Sequence, residues 1–167
     1  MRNARDMIKA HKPSIFAVVE PRVSDRIAQR IVKKLSLSKV HIVDLIGFVD
    51  GIWIAWDDQD VAVDVIFSSQ QVVHCVVKYG VTDLFVLIVI YASLTLKACK
   101  RLWLSFKEFA ESNNLHWAIA GEFNDVLLMT EKFDGRRPSI SRCRLFHDMI
   151  SSYRLLDLGF QGSPYTW

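Results

Sequence analysis

The sequence predicts an α/β protein in which helices cover both sides of a mixed, largely antiparallel sheet. If the strands divide into two sheets, the layering becomes α/β/β/α. Three observations carry this expectation. Short apolar runs rich in β-branched and aromatic residues recur along the chain, as strands require. Between them lie amphipathic stretches with apolar residues three and four apart, the period of a helix. Their order is helix, strand, helix, several strands, helix, strand, helix, strand. At 167 residues the chain has the length of one domain, able to bury about 70% of its unfolded surface.

Taken in order, residues 4–11 (ARDMIKAH) set Met7 and Ile8 on a helical pattern that Pro13 ends. Residues 14–19 (SIFAVV) read as a buried strand. Ser24 is placed to cap a helix over 25–35, where Ile27, Ile31 and Leu35 recur at every fourth position. Strands follow over 40–46, 52–56, 61–67 and 72–79, with Asp50-Gly51 and the acidic run Asp57-Asp58-Gln59-Asp60 as turns. Val61, Val63, Val65 and Phe67 share one face at a period of two. Residues 84–90 are apolar on both faces and predict a central, doubly covered strand. The short turns suggest antiparallel hairpins. A helix over 97–113 aligns Ala98, Leu102, Phe106 and Phe109. A short buried strand over 116–120 ends at Gly121, and a helix over 141–153 carries Phe146, Met149, Ile150 and Tyr153. The terminal Tyr165-Thr166-Trp167 is strand-like.

Composition excludes several classes. A mean hydropathy of +0.18 with only seven Gly and four Pro is incompatible with a disordered or collagen-like chain. The net charge of +3 permits a polyanionic partner without the concentrated charge of a dedicated nucleic-acid module. Cys75, Cys99 and Cys143 are far apart and form no C-x-x-C, so structural zinc is not expected. Unpaired, they read as buried thiols of an intracellular protein. The N-terminal residues lack the apolar segment of a signal peptide. The longest apolar run, 84–92, is far short of the roughly 20 residues that span a membrane, so no membrane partner is expected.

Three apolar strands end abruptly in polar residues: Glu20 after 15–19, Tyr91 after 85–90, and Gly121-Glu122-Phe123-Asn124 after 117–120. A side chain at the end of a rigid strand is held more accurately than one in mid-loop. Two carboxylates converging from separate strand ends can hold a hard divalent cation such as Mg2+. A nearby Tyr and Asn can then donate hydrogen bonds to phosphate oxygens or to a water. Ordinary readings stand beside this one. Glu20 is also where a chain meets water, Tyr91 a core ring with a wet hydroxyl. G-E-F-N also suits a glycine turn, with Phe123 packed inward and Asn124 bonding its own backbone.

In order and spacing the chain resembles the endonuclease/exonuclease/phosphatase superfamily, the DNase I-like proteins. It is most similar to the endonuclease domain of plant LINE-type, non-LTR retrotransposons, which are associated with a reverse transcriptase. The stretches that carry the likeness are ARDMIKAHKPSIFAVVEPRV, DGIWIAW, FVLIVIYAS, RLWLSFKEFAESNN, WAIAGEFNDVL, the MTEKFDG loop and FHDMISSYRLLDLGFQGSPYTW. The resemblance implies an incomplete DNase I-like four-layer α/β/β/α sandwich over 1–167. It implies Glu20 as the metal-binding glutamate and Tyr91 as the tyrosine that contacts the scissile phosphate. Glu122 and Asn124 fall on the G-D-F-N motif, whose acid positions the attacking water and whose Asn supports phosphate binding. The implied reaction is Mg2+-dependent hydrolysis of a DNA phosphodiester, with no obligate protein partner, in the nucleus where the element is intact.

The departures from that pattern are equally specific. The family's first strand, bearing a metal-binding Asn, and its last strands, bearing a catalytic Asp and S-D-H, find no counterpart in this sequence. Neither His147 nor any other histidine stands in the S-D-H context. Glu122 replaces Asp, and a misplacement of about 1 Å can cost about 100-fold in rate. Pro21 replaces the usual Thr. Together these imply a fragment with little or no nicking activity. The alternative is a non-catalytic nucleic-acid-binding remnant, with Arg136, Arg137, Arg142 and Arg144 on phosphates or simply in solvent.

Overall fold

The computed structural model describes residues 2–21, 23, 25–32, 34–43, 51–132 and 138–159. The Ser24 cap, the 44–46 end of one expected strand, Asp50, Arg136, Arg137 and Tyr165-Thr166-Trp167 lie outside these residues, as does the Ile27 side chain. The chain divides into two compact units. One comprises Met1–Tyr91 with Leu115–Glu122, the other Ala92–Asn114 with Phe123–Trp167.

The first unit is built in three layers. Helices α1 (Arg2–His11) and α2 (Asp25–Val32) lie against a three-stranded sheet of order β1-β3-β2, from Ile15–Val19, Ile52–Trp56 and Lys39–Val43. All its pairings are antiparallel. Strand alternation sends Phe16, Val18, Ile42 and Trp53 toward Ile8, Ala28 and Val32 of the helices. The opposite face, with Ile52, Ile54 and Val19, packs on the second sheet at Val61, Val73, Cys75, Val77 and Val89. Helix α2 stops three residues before the expected Leu35, yet Leu35 is buried in the same cluster.

The second sheet has the order β4-β5-β6-β7, from Val61–Ser68, Val72–Tyr79, Asp83–Tyr91 and His116–Glu122. β4, β5 and β6 form the expected antiparallel hairpins, whereas β6 and β7 are parallel. The hairpin expected between β3 and β4 does not form. Its acidic turn instead carries the chain from one sheet to the other, held where Ser38 Oγ donates to Asp58 Oδ1 (2.7 Å) and Ser14 Oγ to Asp60 Oδ2 (3.1 Å). A second correction concerns Phe67. A bulge between Val65 and Phe67 breaks the alternation, so Phe67 is exposed opposite His74 instead of sharing the buried face of Val61. Strand β6 is central as expected, with Val86, Ile88, Val89 and Ile90 all buried.

In the second unit, α3 (Leu96–Ser112) and α4 (Ile140–Ser152) meet around an aromatic cluster of Trp103, Phe106, Phe123 and Phe146. The buried stripe of α3 is Cys99, Leu102, Trp103 and Phe106, one residue round from the expected Ala98. His147 is exposed, beside Asp148. The three thiols are buried and free of disulfides. Burial and the Asp64 carboxylate push the Cys75 thiol up to about 11, so it is a packing residue and not a nucleophile.

His74, on β5, is buried, and burial pushes its pKa down to about 4. The unfolded chain binds a proton at this residue below its ordinary pKa of about 6.5, while the folded chain stays neutral down to about 4. Stability is therefore expected to fall as pH drops through that window, by roughly 3 kcal/mol from this group, and to change no further from it below. Urea unfolding at pH 7 and pH 4.5 checks this. The pH-dependent loss should be smaller in His74→Leu, and an equal loss in both proteins would refute the assignment.

Candidate active site

The parallel pairing of β6 and β7 sets Tyr91 directly beside Glu122 at the ends of their strands. One residue earlier Gly121 opposes Ile90. Gly121 adopts φ +130°, and a Cβ there would run into the Ile90 carbonyl oxygen and lie 3.0 Å from the Ile90 carbonyl carbon and nitrogen. Only glycine allows this close approach. G-E-F-N is thus not a glycine turn: the strand runs through Gly121 and ends at Glu122, and among the described residues β7 is a half-exposed edge strand instead of a buried one. Tyr91 is half-buried against the core between the sheets, and its N–H donates to the Gln71 carbonyl (2.9 Å), tying it to the start of β5.

Glu20 follows the last residue of β1. Val19 before it packs on the same buried core as Tyr91, and the Glu20 N–H donates to the Gly51 carbonyl (3.2 Å). Its backbone is left-handed, with φ +53°, a conformation costing a non-glycine residue about 1–2 kcal/mol. Strain of this kind persists where the surroundings over-determine the backbone, and it points to a residue kept for its side chain. Glu20→Gly is expected to raise stability by about 1 kcal/mol and the melting temperature by about 2–4 °C. An unchanged or lower melting temperature would show that the backbone there is unstrained.

Asn124 belongs to the second unit. Its backbone is also left-handed (φ +51°), which asparagine tolerates well. Its amide Nδ2 donates to the Ala92 carbonyl (2.7 Å), across 32 residues of chain. Phe123 packs on Phe146 (centroids 5.1 Å apart), as the inward reading expects.

Sequence reasoning missed the group that holds this loop. Arg142 Nε donates to Asp125 Oδ1 at 2.6 Å, Nη1 to the Leu94 carbonyl at 2.6 Å, and Nη2 to the Asn124 carbonyl at 3.2 Å. The Asp125 side chain is only 5% exposed. The carboxylate holds the guanidinium even more firmly protonated than usual. Arg142, expected either on a phosphate or in solvent, is therefore in neither place. Arg144 on the same helix is exposed. No periodicity or motif links positions 125 and 142, so only the fold reveals the pair.

Among the described residues, no three His, Cys, Asp or Glu side chains gather as a metal site. The first unit does offer two carboxylates at strand ends, Glu20 and Glu122, and that donor chemistry suits a hard cation that takes one or two protein carboxylates.

Solved structures share this fold. A D. rerio TDP2 humanized by 14 mutations matches with a TM-score of 0.56 at 11% identity, over 75% of this chain and 58% of that one. A truncated Caenorhabditis elegans TDP2 matches at 0.50 and 20% identity, over 82% and 58%. ANGEL2, a 2',3'-cyclic phosphatase, matches at 0.52 and 12% identity, over 75% and 43%. TDP2 and ANGEL2 are DNase I-like proteins. The chain has the DNase I-like fold. At these identities the likeness is one of fold, and the chain spans only 43% to 58% of the length of these DNase I-like structures. No family model and no curated protein matches the sequence.

Proposed function

We propose that this DNase I-like chain derives from the endonuclease domain of a LINE-type retrotransposon and keeps a metal-dependent site for DNA phosphodiesters with little or no nicking activity. The observation that carries the proposal is the parallel register of Tyr91 and Glu122, enforced by the glycine contact at Ile90, in a chain of DNase I-like fold. Glu20 would hold the divalent cation, and Glu122 orients the attacking water. The Tyr91 hydroxyl and the Asn124 amide donate to phosphate oxygens, the role their donor groups suit. Bound Mg2+ would supply neutralisation of the charge that develops on the phosphoryl and leaving oxygens. Water adds to phosphorus as the P–O bond to the leaving alcohol breaks, and the alcohol takes up a proton. The extra methylene of Glu122 displaces its carboxylate by about 1 Å from the position an aspartate would hold, slowing this step by about 100-fold.

Plasmid nicking by the chain is accordingly expected to be unmeasurable, and Mg2+-dependent retardation of duplex DNA is the positive readout. Glu20→Gln should abolish the Mg2+-dependent part. Retardation that survives Glu20→Gln and weakens steeply with salt would identify a binding module without a metal site and overturn the reading. Nicking that disappears in Glu20→Gln would overturn the expected lack of activity.

A further inference from the structure

Arg142 makes more directed contacts than a helix-packing residue needs. From α4 its fork reaches the carboxylate of Asp125, the backbone carbonyl of Asn124 and the carbonyl of Leu94, with Cys99 Sγ 3.7 Å from Nη2. Two segments of the second unit are thereby joined: 92–94, which begins immediately after Tyr91 in the chain, and 124–125, which begins two residues after Glu122. Asn124 makes the same connection from the other side, its Nδ2 on the Ala92 carbonyl. The side chain of Asn124 and its backbone carbonyl are thus both engaged, which fixes the orientation of this residue on its left-handed backbone. A planar guanidinium satisfies three acceptors in fixed directions, whereas an ammonium offers a single point charge.

We infer that Asp125 and Arg142 are positioning residues that hold the Asn124 side chain ready for a phosphate oxygen. The inference rests on the phosphodiester reading of the site. Neither residue touches substrate; both act through Asn124.

The test is a double-mutant cycle on the affinity of the full chain for duplex DNA in Mg2+, using Asn124→Ala, Arg142→Lys and their combination. Asn124→Ala is expected to weaken binding about tenfold or more, since it removes a hydrogen bond to a charged group. Arg142→Lys should cost nearly as much alone and almost nothing in the Asn124→Ala background. The side-chain amide resonances of Asn124 should also lose their protection from hydrogen exchange in Arg142→Lys. Asp125→Asn, which keeps the volume and removes the charge, should behave like Arg142→Lys. Equal losses from Arg142→Lys with and without Asn124 would make the pair merely structural and overturn the inference, as would full affinity in Arg142→Lys. Full affinity in Asn124→Ala would instead sink the role assigned to Asn124, and with it the phosphate reading at that position.

Discussion

Gly121→Ala is expected to lower stability by about 3 kcal/mol or more, and to abolish any Mg2+-dependent DNA binding. The added Cβ meets the Ile90 carbonyl group of the adjacent strand, and φ +130° is closed to alanine whatever the space. Neither strand can yield easily. β6 is hydrogen-bonded on both edges and Ile90 is fully buried, so relief requires breaking the β6–β7 register that aligns Tyr91 with Glu122. Overpacking of a tight interior costs about 1–3 kcal/mol and a forbidden backbone about as much again. Gly80→Ala is the matched control. Gly80 also has positive φ (+62°), but nothing lies within 4 Å of the place a methyl group would occupy, so about 1 kcal/mol is expected there. Equal losses in the two variants, by urea unfolding, would mean that the strand contact contributes nothing.

Arg142→Met should cost about 3–5 kcal/mol, the range for a buried ion pair that loses one partner. The loss comes less from the missing attraction than from what remains: a carboxylate at Asp125 that is 5% exposed, and the Leu94 and Asn124 carbonyls without their donor. The pair Asp125→Leu/Arg142→Met should therefore be more stable than Arg142→Met alone, because it removes the stranded charge. Chemical denaturation of the three variants decides the matter; a double variant no better than the single one would place the cost in lost packing. By contrast, Lys107 and Glu111 form an exposed pair on α3, and Glu111→Ala should change stability by no more than about 0.5 kcal/mol.

Legibility in the sequence followed the kind of interaction involved. Strands β3, β5 and β6 were readable as short, continuous apolar runs between turn residues, and helices α3 and α4 because each buries one face at the helical period. The bulge at Val65–Phe67 was not, because it depends on which residue of β5 lies opposite. The passage of the chain between sheets at Asp57–Asp60 was equally hidden. A turn rich in aspartate looks the same whether it joins neighbours in one sheet or strands in two.

The candidate site divides in the same way. Glu20, Tyr91, Glu122 and Asn124 stood out because an apolar run ending in a polar side chain is a local pattern. What the tertiary structure alone decided is how they are held: the left-handed backbones of Glu20 and Asn124, the Gly121 contact with Ile90, and the Asp125–Arg142 pair. These depend on groups brought together from distant parts of the chain, 31 residues apart for Gly121 and Ile90 and 17 for the ion pair. Hydrophobic periodicity is a property of one segment and survives in the sequence. A register, a steric limit or a buried charge pair belongs to two segments at once, and only folding defines it.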